Sequence, residues 1–412
     1  MLLPDATQNW EVVEGSLTTP RGFRGAAVAA GIKKVPGALD LALIFSDASE
    51  TTAAGLFTNN LAAAAPVILS RRHLEKSRGY ARAVLANAGN ANACTGREGM
   101  HTAVTTASEV ANALGIPSEQ VLVASTGVIG VQLKPELILT QVPGLIQNLS
   151  AENASAVAQA IMTTDTFPKT CVLRSQMEGS TVHLAGVAKG AGMIHPRLAT
   201  MLAFITTDAS VGPRMLQHML EAAVEVSFNR ISVDGDTSTN DTVLALAGGL
   251  SGVTVRPGNS SRAWFLAGLT QLTQTLARLI AKDGEGAKKL VTLEVLGART
   301  PTEAEKVARA VANSPLVKTA IAGCDPNWGR IVCAAGYSGA RFDPAKVDIR
   351  VNELFLCRKG LDADFDEAVA RQELAKKELT ISIDLHQGSA STRFWTCDLT
   401  HDYIDINASY RT

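Results

Sequence analysis

The sequence predicts an α/β chain of the α+β type, with mixed and antiparallel sheets layered with helices. Three observations point there. Strand-like and helix-like stretches alternate through the first three hundred residues without the regular spacing of a βαβ array. The stretch 346–405 is mostly short alternating strands: VDIRVNELFLC, LTISIDLHQG and STRFWTCDLT. No internal repeat, low-complexity tract or long Pro/Gly/Ser linker breaks the chain.

In order along the chain, residues 82–87 form a first strand with Val84 and Leu85 at its centre. It runs into the small-residue loop GNANACTG (89–96), and a helix follows over 100–114, closed by Gly115. Residues 120–124 form a second strand, ending in STGVIG (125–130). Ser150 is placed to cap a helix reaching about residue 163. Residues 181–188 alternate as a strand, with Val182, Leu184 and Gly186 on one side. Pro213 sits where a first helical residue is expected, and Met215, Met219 and Ala222 follow at helical spacing. Residues 264–282 form a long amphipathic helix, and Thr300-Pro301-Thr302-Glu303 is a capping box that opens a helix to about 313.

Composition narrows the function classes. With 412 residues, 46% hydrophobic and 19% charged, the chain has an ordinary globular mix and the length for two or three core-forming units. Lys plus Arg is 38 against 39 Asp plus Glu, a net charge of -1, so nothing draws it onto nucleic acid or an anionic membrane. No run reaches the roughly 18 apolar residues of a spanning helix. Residues 1–14 carry several polar and acidic residues and no basic-then-apolar run, so no secretory signal is expected. The six cysteines show no CxxC spacing and the seven histidines no HxxxH or HxH pairing. Neither a metal site nor a disulfide framework is expected, and the chain is read as reduced and cytoplasmic.

Phosphate-binding and hydrolase fingerprints are absent: there is no GxxxxGK[ST], no GxGxxG between strand and helix, and no GxSxG. The acidic run DGDTSTND (234–241) lacks Gly at the sixth position of a calcium loop and has Ala245 in place of Glu at the twelfth. A turn in which side chains bond the backbone accounts for it better.

The segment KGAGMIHPRLATMLAFITTDA (189–209) is different. A flexible Gly/Ala stretch passes through a proline into Ala199-Thr200, and the apolar run MLAFI that follows suits a buried strand. A threonine there can attack the preceding carbonyl through its hydroxyl, shift the acyl group from nitrogen to oxygen, and be released by water as a new N-terminal residue. Its α-amino group, with a reference pKa of about 7.7–8.0, then serves as general base to its own hydroxyl. Alone, the dipeptide is equally a strand-start Thr bonding its own backbone.

The surrounding words resemble the ornithine acetyltransferases, also called glutamate N-acetyltransferases, of arginine biosynthesis. The likeness runs over nearly the whole chain in order. It is carried by PRGFRGAAVAAGIKK (20–34), DLALIFSD (40–47), NAGNANACTG (87–96), STGVIG (125–130), TTDTFPK (163–169), the 189–209 segment, SFNRISVDGDTSTNDT (227–242), DGEGAKK (283–289), DPNWGRI (325–331) and INASYRT (406–412).

The resemblance implies an N-terminal-nucleophile architecture and a chain cut into 1–199 and 200–412. Thr200 would be the nucleophile, Ala199–Thr200 the autocleavage bond, and Thr126 and Gly127 the oxyanion-stabilising pair. Thr163, Lys189, Thr200, Glu285, Asn407 and Thr412 fall where the family places substrate contacts. Lys189 is assigned to a substrate carboxylate and Glu285 to an ammonium group. N-acetylornithine and glutamate are the expected substrates, with no cofactor, and two chains of each kind are expected to form a heterotetramer. Acetyl-CoA as a second acetyl donor stays open, since no separate nucleotide-binding word reports it.

Departures are modest. Arg197 and Leu198 stand where Asn and Met are commoner, and Lys288 follows GEGA where Thr is frequent. Two other readings remain: a self-processing aminopeptidase or amidase of related fold, with water as acceptor, and an uncut binding or scaffold protein with Thr200 idle. DPNWGRI and INASYRT favour the transferase over the first.

Overall fold

A strand whose residues are apolar throughout belongs between two covering layers, whereas an alternating strand covers a core on one face only. Both kinds occur in the computed structural model, which describes residues 10–152, 154–195 and 201–408. These form two compact units, one containing the residues up to Asn229 with Asp236–Leu276, the other Arg230–Gly235 with the residues from Ala277 onward.

The first unit is built on two stacked sheets. The larger has six strands in the order Glu11–Val12, Lys169–Met177, Ser180–Lys189, Leu202–Thr207, Thr242–Ala247 and Thr52–Phe57. Every neighbouring pair is antiparallel except Leu202–Thr207 with Thr242–Ala247, which is parallel. The smaller has the order Phe23–Val28, Leu41–Ser46, Ala83–Asn90 and Val121–Val128, with only the last pair parallel. Phe23, Ile44, Val84 and Leu122 of the smaller sheet share one core with Val187, Leu202, Phe204, Leu244 and Leu246 of the larger.

Outside the smaller sheet, Leu41, Leu43, Leu85 and Val121 pack with Ala103, Ala107, Val110 and Ala111 of the helix Gly96–Leu114. Outside the larger, the helix Ser260–Lys282 lays Leu272 and Leu276 over Gly186, where a side chain would collide with them. The layers therefore run helix, sheet, sheet, helix. This is why all six residues of Leu202–Thr207 are buried, and not only alternate ones.

Several sequence expectations shift in detail. The 82–87 strand extends over Ala83–Asn90, and the second strand, Val121–Val128, runs through STGV instead of ending before it. The following helix starts at Gly96, four residues early, and is closed by Gly115 in the left-handed region at φ 65°. Ser150 spends its backbone on Gly25 in an antiparallel bridge (Ser150 N to Gly25 O 3.0 Å), and the helix after it covers only Ala154–Ala160.

Pro213 does open the helix Pro213–Glu225, but its buried stripe is Leu216, Met219, Leu220, Ala223 and Val224, with Ala222 exposed and Met215 half-buried. The reason lies in the edge strand beneath. The Gln217 carboxamide accepts from Gly55 N–H (3.1 Å) and donates to Gly55 O (3.3 Å), which fixes the helix rotation and satisfies an exposed sheet edge.

The second unit holds a six-stranded sheet ordered Leu361–Asp362, Leu354–Arg358, Asp348–Val351, Glu378–Asp384, Leu290–Ala298 and Ala390–Cys397, with one parallel pair, Leu290–Ala298 against Glu378–Asp384. Val291, Leu293 and Val295 alternate into a core shared with Ala304, Val307, Ala308 and Val311. Those four lie on the helix Pro301–Ala312, capped by the Thr300 hydroxyl accepting from Glu303 N–H (3.2 Å). Only that half of the capping box forms, because the Glu303 carboxylate takes the Arg299 guanidinium at 2.7 Å. Asn327 of DPNWGRI caps the helix Trp328–Gly336 through Arg330 N–H. Among the described residues no helix is long and apolar enough to cross a membrane.

Candidate active site

Ala199, Thr200 and Thr412 lie outside the described residues. The described residues next to 200 in the chain are located by sheet register. Leu202 pairs with Lys189 on one side and with Thr242 on the other. Lys189 ends one strand, Met201 precedes the next, and Asp241 precedes the third, so these three residues share one end of adjacent central strands.

The end of the smaller sheet is irregular where Thr126 and Gly127 stand. Gly127 pairs with Gly89, after which Asn90 faces both Thr126 and Val128. Such a bulge turns backbone groups away from the ladder, an arrangement suited to aiming a donor at a developing charge. Gly127 has φ 129°, and a side chain on it would run into the Gly89 backbone. Gly89 is itself backed by Ile32 and Lys33, in a loop that Asp40 organises by accepting from Ala30, Ile32 and Lys33 N–H at 2.6, 2.6 and 2.9 Å. Two words of the sequence, 20–34 and 40–47, thus shape the wall behind the STG strand end.

Asp165 joins two of the expected substrate contacts. Its Oδ2 accepts from Thr163 N–H (3.0 Å), and its Oδ1 accepts from Gly190 N–H (2.7 Å), next to Lys189, and from Lys169 Nζ (2.6 Å). Asp165 and Lys169 are fully buried as a side-chain pair, with Lys169 also 5.1 Å from the centre of the Phe167 ring. Burial alone would raise the Asp165 pKa, but Lys189, Lys169 and the hydrogen bonds outweigh it and hold the carboxyl at about 2.

Asp241 is the opposite case. Its Oδ1 accepts from Met201 N–H at 3.1 Å, and the side chain is fully buried. Burial pushes its carboxyl well above the ordinary 3.8, against the pull of Met201 N–H and of Lys189. The acidic run 234–241 is a turn bonded by side chains of the segment: Ser238 Oγ accepts from Asn240 N–H (3.0 Å) and Thr242 Oγ1 donates to Asn240 O (2.9 Å).

In the second unit, Glu285 and Asn407 do meet: Asn407 Nδ2 donates to Glu285 Oε2 at 2.8 Å. The C-terminal helix His401–Ala408 buries no residue and is held by polar contacts. Thr400 Oγ1 donates to Gly286 O (2.7 Å), Tyr403 Oη to Asp234 Oδ2 (3.2 Å), and Lys288 pairs with Asp402 (3.3 Å). The lysine that departs from the family pattern therefore directs its charge to this helix. Among the described residues no group of three or more His, Cys, Asp or Glu side chains is placed to hold a metal ion.

Sequence reasoning singled out Thr163, Lys189, Glu285 and Asn407 but missed the residues that hold the first two in place. Asp165, Lys169, Asn240 and Asp241 lie inside the quoted words, yet single acids and amides carry no periodic signal. Asp165 and Lys169 pair within their own loop-to-strand segment, whereas Asn240 and Asp241 find partners on distant strands.

A lysine and two buried carboxylates at one end of the central strands, in a helix–sheet–sheet–helix framework, define a layered α/β enzyme. The chain belongs to the ArgJ family, whose model matches residues 24–412. It is 48% identical over 404 residues to the arginine biosynthesis bifunctional protein ArgJ of Symbiobacterium thermophilum, covering 98% of this chain and 100% of that protein. The protein of the same name from Caldanaerobacter subterraneus subsp. tengcongensis is 46% identical over 407 residues, with 98% and 100% covered. A crystal structure of that name from Bacillus halodurans is 44% identical, covers 50% of this chain and 98% of its own, and superposes with a TM-score of 0.49.

Proposed function

We propose that this chain is an acyltransferase of arginine biosynthesis that cuts itself between Ala199 and Thr200. It then moves an acetyl group from N2-acetylornithine to glutamate through an ester on Thr200. Family membership over residues 24–412 carries the activity. The sheet register supports the nucleophile, because Leu202, two positions after Thr200 in the chain, opens a fully buried central strand and pairs with Lys189 and Thr242.

In the first half-reaction the Thr200 hydroxyl attacks the acetyl carbonyl while the Thr200 amine takes the hydroxyl proton. Thr126 and Gly127 stabilise the oxyanion, a contribution worth about 2.7–4 kcal/mol per donor in such sites. The C–N bond breaks, ornithine leaves with the proton on its amine, and the acetyl ester remains. In the second half-reaction the glutamate α-amine attacks the ester, and Thr200 recovers its hydroxyl proton. Lys189 faces a substrate carboxylate, Glu285 with Asn407 the ornithine ammonium, and Thr163 and Thr412 complete the contacts.

The products of self-cleavage are 1–199 and 200–412, assembled as a heterotetramer of two chains of each kind in the cytoplasm. Sheet pairing explains how the halves stay joined: Ser180–Lys189 lies on one side of the cut and its partner Leu202–Thr207 on the other. The relatives' name, bifunctional, supports a second activity, for which acetyl-CoA is the donor. No cofactor is required. Family membership favours this reading over a hydrolase.

Denaturing intact-mass measurement before and after brief exposure to N-acetylornithine tests the proposal. Two fragments meeting at Ala199/Thr200, with one acetyl group added to the Thr200 fragment, are expected. A single unmodified full-length mass would reject it.

A further inference from the structure

The dipeptide Asn240–Asp241 touches both halves of the proposed machinery. Asn240 Nδ2 donates to Ala91 O (2.6 Å) and to Ser125 O (2.8 Å), the residue before Thr126. Its Oδ1 accepts from Thr239 Oγ1 (2.6 Å), so the carboxamide is committed and cannot flip without losing three bonds. Ser125 Oγ in turn donates to Asn87 Oδ1 (2.6 Å), and Asn87 Nδ2 to Asn90 O (2.9 Å), at the bulge opposite Gly127.

The next residue faces the other way. Asp241 Oδ1 accepts from Met201 N–H (3.1 Å), Met201 O accepts from Thr242 N–H (3.0 Å), and Asp241 O accepts from Thr58 N–H (2.9 Å). Among the described residues Asp241 Oδ2 is buried and has no partner within hydrogen-bond geometry.

We propose that Asn240 and Asp241 are positioning residues that hold Met201, which follows the proposed nucleophile in the chain, in register with Ser125, which precedes the proposed oxyanion donors. This rests on the reading of Thr200, Thr126 and Gly127 given above. Met201 leads into a strand of the larger sheet and Ser125 lies on a strand of the smaller, so no single strand fixes their spacing; two successive side chains on one turn do. Attack geometry is sensitive to such spacing, and a misplacement of about 1 Å costs on the order of 10²-fold in rate. Asp241 performs its part by accepting one N–H bond, which an isosteric amide also does.

The test compares Asn240→Ser, Asp241→Ala and Asp241→Asn with the wild-type chain, following self-cleavage by intact mass and transfer by steady-state kinetics. Asn240→Ser is too short to reach both carbonyls and should lower kcat about 100-fold, with KM changed less than about threefold and cleavage slowed in parallel. Asp241→Ala should behave likewise, and Asp241→Asn should recover most of the loss. Wild-type kcat and cleavage in both Asn240→Ser and Asp241→Ala overturn the proposal. So does a defect confined to KM, or an Asp241→Asn as slow as Asp241→Ala. If Asp241→Ala does not fold, Asn240→Ser decides alone. A wild-type chain that stays whole and takes up no acetyl group rejects the nucleophile reading itself; a wild type that is cut and acetylated, beside unimpaired variants, rejects only the positioning role.

Discussion

Asp165 and Asp241 are two buried carboxylates near the same lysine, each accepting backbone N–H bonds, yet their protonation is pushed in opposite directions. Asp165 has Lys169 against it and stays ionised, with its carboxyl at about 2. Asp241 has no such partner in contact, and burial drives its carboxyl up. A hydrogen-bonded backbone is common to both, so a paired cation decides which buried acid keeps its charge. One region supplies fixed charge beside the expected substrate contacts, and the other clamps the backbone of Met201 at the start of a central strand.

The largest expected effect tests whether the chemistry lies where these regions meet. Thr200→Ala should remain uncut and lose transfer by on the order of 10⁴-fold or more, whereas Thr200→Ser should retain some of both. A fully cleaved Thr200→Ala chain in a mass spectrum would remove the reason for the whole arrangement.

Next comes the ion pair. Lys169→Met leaves Asp165 buried without its lysine and should destabilise the fold by about 3–5 kcal/mol in denaturant titration. A loss below about 1 kcal/mol would mean that the two acids differ for some other cause.

The pH dependences should have opposite signs. The Asp165 carboxyl is depressed in the folded chain from 3.8 to about 2, so its stabilisation, about 2 kcal/mol, is complete above 3.8 and is lost as pH falls toward 2. Asp165→Asn should therefore melt below wild type at neutral pH and converge with it at low pH. The Asp241 carboxyl is raised, so the folded state holds a proton that the unfolded state releases, and wild-type stability drains as pH climbs above 3.8. Asp241→Asn should gain on wild type as pH rises over that range. Parallel curves for the two variants would break the comparison.

The smallest effect is a control in the other unit. Thr300→Ala removes one helix cap and should cost about 1 kcal/mol without changing kcat. A change in kcat would show that the C-terminal unit is coupled to the chemistry through more than the substrate contacts proposed for it.

Legibility in the sequence follows the range of the interactions. The helix beginning at Pro301 was readable because its cap, its proline and its stripe all lie within a dozen residues, and Thr300 does accept from Glu303. The stretch 346–405 was readable because a sheet with one covered face alternates. The 213–225 helix was located correctly, but of Met215, Met219 and Ala222 Met219 alone is buried, since Gln217 docks on Gly55, more than 150 residues away, and sets the helix rotation. Ser150 failed as a helix start for the same reason, its backbone being taken by Gly25.

By itself the sequence determined the α/β class, the strand and helix order, the family and the residues expected to carry chemistry, because local propensity and word order are written along the chain. Only the tertiary structure decided that the Asp165 carboxyl is pushed down and the Asp241 carboxyl up, that Gly127 needs its glycine against Gly89, and that Asn240 and Asp241 reach two different strands at once. Those outcomes depend on burial and on partners far apart in the chain. Solvation and distance in the folded core set them, and no one-dimensional pattern records either.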